Sequence, residues 1–341
     1  MDFIKLVYTL LIKVEGQRSY RSVYHLLKGK KSAQTIQDAH LFGVKNYFAI
    51  YPKLHIDVFD SIIVEMSNQG LINLEGTNFQ VISKTSISEK PYANLNGYEY
   101  HTYDEWFFSQ LLLLAQATSQ HAHQSPRFIP IVDDIQVQHS VKRIWNMYKN
   151  NEKVIIEQLY SELHRLFELL TQEEANFISM QLTGNKHIGW SFTQLSEYYH
   201  LSYHDIHIWY KQTLHKMIHL IKDSNQTFSL LALLIPVTSE FNLTSSARKT
   251  YNYLQKNYSI NQIMAVRNLK ISTIEDHVVE IASSVDDFSI RPFVTEEMEQ
   301  DILAVISKLN TRKLKEIKDQ LTNNESYFQI RLAMTCTNSL D

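Results

Sequence analysis

Apolar positions recur every three or four residues over 2–15, 19–28, 32–50 and 56–69, as in Val23, Leu26 and Leu27, or Val58, Ile62 and Met66. That spacing predicts four amphipathic helices. Gly70 follows Asn68 and Gln69, a common left-handed helix end. In "LINLEGTNFQVIS" two short β-prone runs flank a turn, which predicts a hairpin. Helices followed by a small hairpin make a winged-helix-like outline. The polar stretch "SKTSISEKPYANLNGYEYHTYDE" reads as a linker, and from Trp106 the pattern is helical to about Lys222. A second linker around "PVTSEFNLTSSA" leads to another helical module. The expected architecture is mainly α and multi-domain. A winged-helix-like domain is expected over 1–88, a helical middle over 89–228 with an embedded helix-turn-helix at 191–222, and a helix-turn-helix domain over 229–341.

Two segments repeat one anchor spacing. Leu195, Leu201, Ile206 and Trp209 match Ile263, Leu269, Ile274 and Val278: one apolar anchor on a first helix, one in the turn, two on a second helix. His200 and Asn268 stand at the turn position that takes a left-handed backbone. Ser191–Gln194, Ser259–Gln262 and Ser202–Asp205 fit capping boxes. Ser272–Glu275 fits one too, if the last helix starts at Ser272; the anchor spacing would start it nearer Lys270.

Charge divides the chain. The net charge is -3, yet through Lys53 nine basic residues face Asp2, Glu15 and Asp38 alone. Lys28, Lys30 and Lys31 crowd the start of a helix capped by Ser32, with Thr35 rather than an acid three positions on. Free N–H groups, a helix dipole and ammonium groups there suit phosphate, and Gln34, Thr35 and Gln37 would stand where base edges could be reached. The second helix of the last module carries Glu275, Asp276, His277 and Glu280, a face suited to a protein partner rather than a polyanion. Lys308, Arg312, Lys313, Lys315 and Lys318, with Arg248 and Lys249, could add non-specific phosphate contacts, Lys313 foremost.

The segments "HLLKGKKSAQTIQDAHLF", "KTYNYLQKNYSINQIMAVRNLKISTIEDHV" and "YFQIRLAM" resemble the YpbB-type proteins of Gram-positive bacteria. Residues 244–335 are similar to the helicase helix-turn-helix domain, also found at the C-terminus of some RecQ helicases. Ile263, Leu269, Ile271, Ser272, Thr273, Ile274, Glu275 and His277 carry that pattern, which departs at Met264 and Asn268. In that family a YpbB-like gene lies beside one for a RecQ-family helicase, so the resemblance implies a helicase partner in DNA repair or recombination.

Other chemistry is not signalled. No G-x-x-x-x-G-K-[ST] loop occurs, so ATP-driven unwinding would belong to another chain. Cys336 alone makes neither a disulfide nor a convincing nucleophile. His200, His204, His207, His215 and His219 lack the supporting ligands of a zinc site and read as core or solvated residues. No signal peptide or bilayer-length apolar run is evident, which suggests a cytoplasmic, nucleoid-associated protein. The expectation is a non-enzymatic, cofactor-free DNA-binding accessory of a RecQ-like helicase. The alternative is a transcription regulator reading an operator.

Overall fold

Helices α1 (Phe3–Val14), α2 (Tyr20–Lys28), α3 (Ala33–Leu41) and α4 (Ile56–Asn68) follow the apolar spacing, with one break. The helix expected over 32–50 stops at Leu41, because Gly43 takes a φ of 61° and a short 3-10 turn, Lys45–Tyr47, follows. Gly29 ends α2 at φ 72°, and a Cβ there would collide with Ala49, so both backbone and space call for glycine. Strands β1 (Ile72–Glu75) and β2 (Asn78–Val81) form the hairpin, antiparallel from Ile72 opposite Val81 to Glu75 opposite Asn78. The computed structural model describes residues 2–82, 92–125, 127–149, 151–237 and 242–336.

The chain divides into two units, one of residues 1–3 and 88–238, the other of 4–87 and 239–341. The first contains α5 (Gly97–Tyr100), α6 (Asp104–Ala122), α7 (Ile135–Met147), α8 (Glu152–Glu168), α9 (Gln172–Ser179), α10 (Phe192–Tyr199), α11 (Tyr203–Asp223) and α12 (Ser229–Ala232). The segment expected as a linker from 83 lies outside the described residues as far as 91. Beyond that it is packed rather than solvated: Tyr92, Leu95, Tyr98, Tyr100 and Tyr103 are buried. Leu230, Leu231 and Leu234 join the same core, so this unit reaches past the boundary expected at 228.

Within it, α10 and α11 form the embedded helix-turn-helix. Both capping boxes close, at Ser191 with Gln194 and Ser202 with Asp205, and His200 is left-handed at φ 53°. Leu195 and Ile206 are fully buried, Leu201 and Trp209 partly. Deeper in, the Lys211 ammonium lies 2.7 Å from both Asp104 and Glu105. His215 Nε2 is 3.1 Å from Asp104 Oδ2, while its Nδ1 accepts the Asn96 N–H at 3.0 Å. The second bond puts the ring proton on Nε2. His215 is thus a satisfied core residue, and His219 is exposed. Burial alone would raise the Asp104 carboxyl, but His215 and Lys211 outweigh it and hold it at about 2.

The second unit adds α13 (Ser245–Leu254), α14 (Ile260–Arg267), α15 (Ile271–Ser284), α16 (Glu296–Leu309), α17 (Leu314–Lys318) and α18 (Tyr327–Thr335) to α2, α3, α4, the hairpin and most of α1. Helix α15 is central, packed by α13, α14, α18 and α3. Ile274, Val278, Val279 and Ile281 are fully buried on it. Leu41, from the end of α3, shares a core with Ile302, Ile317, Ile330, Ala333 and Met334, and Phe42 packs against it. Most of the segments expected as separate domains at 1–88 and 229–341, namely 4–87 and 239–341, are therefore one body, joined by apolar burial. No helix among the described residues is long and apolar enough to cross a membrane.

Candidate nucleic-acid interface

Helix α3 follows the lysine-rich turn, and α15 is the second helix of the last helix-turn-helix; the two pack on each other. On α3, Thr35, Ile36, Gln37, Asp38, Ala39 and Leu41 are buried, and Gln34 is exposed. Ser32 caps the helix as expected, accepting the Thr35 N–H at 3.3 Å, and the two hydroxyls meet at 2.8 Å. Gln37 faces Arg331: its Nε2 donates to the Arg331 carbonyl at 3.1 Å, and Arg331 Nε donates to Gln37 Oε1 at 2.9 Å. The reach toward base edges expected of Thr35 and Gln37 is not found, because both are spent on capping and packing.

The acidic face of α15 is enclosed as well. Glu280 is 5% exposed and accepts the Thr244 N–H at 2.5 Å and hydroxyl at 3.0 Å. Burial raises its pKa, opposed by Thr244 and by the charge of Lys31. Buried His277 bonds the Thr250 hydroxyl through Nδ1 at 2.9 Å. Asp276 accepts from Arg331 at 2.5 Å. Glu275 alone of the four keeps a half-exposed side chain without such a bond. Of the face expected to dock a partner, His277 and Glu280 are withdrawn into the packing, while Glu275 and Asp276 stay half-exposed, with Asp276 tied to Arg331. The Ser272–Glu275 box does not form either, since α15 starts at Ile271 with Lys270 as its cap residue.

What the packing of α3 and α15 leaves open is a cleft of about 890 Å³. It brings Lys30, Ser32, Gln34, Thr35, Gln37 and Lys313 together with Arg18, Arg21, Lys315 and Arg331. Six lysine and arginine side chains line it against two carboxylates, Asp38 and Asp276. Arg18 grips Asp38 with two bonds of 2.9 and 2.8 Å, and Arg21 reaches Asp60 at 2.9 Å. Lys313 lies 3.3 Å from Glu316. Exposed Lys30 and Lys315 have no ion-pair partner among the described residues, so their charge is available to an anion. Burial lowers the pKa of nearby His25, and the charges of Lys30 and Arg21 add to it.

Other expected residues lie elsewhere. Lys28 bends back toward the Leu54 carbonyl at 3.4 Å and over the Tyr24 ring. Lys31 is exposed but outside the cleft lining, within electrostatic range of Glu280. Arg248 is half-buried, and Lys249 lines a second cleft of about 500 Å³ with Asn252, Tyr253, Lys256 and Arg267. Arg18, Arg21 and Arg331 carried no local signal of a site, whereas Lys315 belongs to the basic run expected to add phosphate contacts. Asn252 and Lys256 did: with Lys249 they stand three and seven positions apart, on one helix face. No group of three or more His, Cys, Asp or Glu among the described residues could hold a metal ion.

Against known proteins, residues 246–334 match a helix-turn-helix domain family. Protein YpbB of Bacillus subtilis (strain 168) is 30% identical over 340 residues, covering 97% of this chain and 96% of that one. No solved structure matches.

Proposed function

This chain belongs to the YpbB family, and from that premise we propose that it is a non-enzymatic DNA-binding accessory protein of a RecQ-family helicase. The supporting observation is the first cleft. Helix α3 and α15, the second helix of the last helix-turn-helix, are packed on each other, and beside them Lys30, Lys313 and Lys315 converge with three more basic side chains, Arg18, Arg21 and Arg331. Such a surface neutralises phosphates without reading bases. Lys30 and Lys315 make the charge contacts; Ser32, Gln34 and the exposed start of α3 supply hydrogen bonds. The helicase partnership rests on the family resemblance and on the lack of a phosphate loop in this sequence. A motor on another chain would supply the unwinding. The packing of α3 against α15 weighs against an operator reading through either of these two helices.

The test has two arms. Binding of labelled duplex and forked DNA is followed against salt for the full chain and for Lys30→Ala/Lys313→Ala/Lys315→Ala. The variant should weaken binding alike for all sequences and flatten the salt slope by about 1 per lysine. Unchanged affinity sinks the cleft as the DNA site. Co-purification with the RecQ-family helicase, and unwinding of forked DNA with and without this protein, tests the partnership; no complex and no effect on unwinding would sink it.

A further inference from the structure

The second cleft, on the helix-turn-helix domain, has chemistry of its own. Lys249 and Lys256 stand on the outer side of α13 and just past its end, both exposed, and neither has an ion-pair partner among the described residues. Arg267, at the last turn of α14, forms the opposite wall, and Asn252 and Tyr253 complete the lining, which includes no carboxylate. The guanidinium is held in place: Nη1 donates to the Ser246 carbonyl at 2.9 Å and bonds the Thr250 hydroxyl, and Nη2 donates to Ser246 Oγ at 2.9 Å. Its acceptors are all neutral, so the positive charge is positioned but not cancelled. Five N–H donors belong to a guanidinium; Nε–H and one N–H of Nη2 have no acceptor among the described residues. Two fixed donors and two mobile ammonium groups around one concave space match the tetrahedral oxygens of a phosphate. The Tyr253 ring, edge-on to Tyr258 at 5.3 Å, makes an aromatic wall.

We infer that this cleft holds a backbone phosphate of a nucleic-acid strand, a second contact separate from the Lys30–Lys315 cleft. It depends on the reading above only in taking nucleic acid as the source of the phosphate. Because α15 is enclosed, the domain engages the strand from the α13–α14 side rather than through its second helix.

Lys249→Ala/Lys256→Ala removes two exposed side chains that make no ion pair among the described residues. Binding of the full chain to labelled oligothymidylate and to duplex DNA is measured against salt, with inorganic tripolyphosphate as competitor. The expected result is weaker binding, a salt slope flatter by about 2, and a further loss when combined with Lys30→Ala/Lys313→Ala/Lys315→Ala. A preference for single strands over duplex that falls on Tyr253→Leu would assign the aromatic wall to base stacking. Affinity and slope unchanged by the α13 variant for both nucleic acids overturn the inference. So does tripolyphosphate binding at this cleft without any effect on nucleic acid. If the α13 variant loses binding and the Lys30 variant does not, this inference stands and the first cleft falls.

Discussion

Gln37 and Arg331, 294 positions apart in sequence, exchange two hydrogen bonds, side chain to carbonyl in one direction and guanidinium to amide oxygen in the other. Arg331 then reaches Asp276 on α15, so three segments meet at one guanidinium. This contact turns residues that look like readers of DNA into parts of a joint. It yields a sharp expectation. Gln37→Leu should lower stability by about 1–3 kcal/mol, since it strands a half-buried guanidinium donor and a carbonyl. Nucleic-acid affinity of the folded protein should stay the same. Denaturant unfolding beside a binding titration separates the two, and an affinity loss without a stability loss would restore Gln37 as a base contact.

Glu280 makes a parallel case. Replaced by Lys, it would place an ammonium where a carboxylate now receives the Thr244 N–H and hydroxyl, within range of Lys31. A loss of about 3 kcal/mol or more is expected. Any fall in partner binding should then track unfolding, seen as protease sensitivity around α13 and α15. A Glu280→Lys protein with native stability that no longer binds a partner would show the residue acting in docking after all.

In the other unit the weak point is Lys211, 1% exposed between Asp104 and Glu105. Lys211→Met keeps much of the volume but leaves the Asp104 carboxylate buried with only the His215 ring and the Glu105 N–H against it. Removing one partner of a buried pair costs about 3–5 kcal/mol. Lys211→Met/Asp104→Asn should recover part of that, because the stranded charge is gone. A double variant no better than the single one would mean that the methylenes, not the charge, matter.

Acid should loosen the unit that holds His40 well above the pH at which Asp104 titrates, and His215, lowered chiefly by burial, draws on the other unit in the same direction. Burial, then Lys45, holds His40 at about 4 against an ordinary 6.5, with Asp286 opposing. The folded state keeps this ring neutral while the unfolded chain protonates it. Its stabilisation is complete above 6.5 and declines as pH falls toward 4. His277, lowered by burial and Arg267, acts in the same direction. Asp104, held at about 2 against 3.8, contributes its loss only below 3.8. Glu280 and Asp38, raised by burial, work in the opposite sense. His40→Asn should therefore flatten the melting temperature between pH 6.5 and about 4, and a profile identical to the parent would exclude His40 as the source.

Much of this is legible in the sequence itself. Helical periodicity placed α1, α2 and α4 within a residue or two. The anchor spacing found both helix-turn-helix units, and Ser191, Ser202, Ser259 and Ser32 cap the helices they were expected to cap. These features depend on neighbours within a turn or two, and local sequence carries them. The convergence of Lys30 with Lys313 could not be read, since each lies in a lysine-rich turn whose surroundings are set by distant chain.

Local pattern therefore decided which segments are helices, where they start, and which residues anchor each helix-turn-helix. Tertiary packing decided which faces stay in water. An amphipathic helix declares one apolar side, but its polar side is either solvated or met by matching polar groups, as Gln37 meets Arg331 and Glu280 meets Thr244. Both outcomes satisfy the same hydrogen-bonding groups, and only the arrival of a partner from elsewhere in the chain distinguishes them.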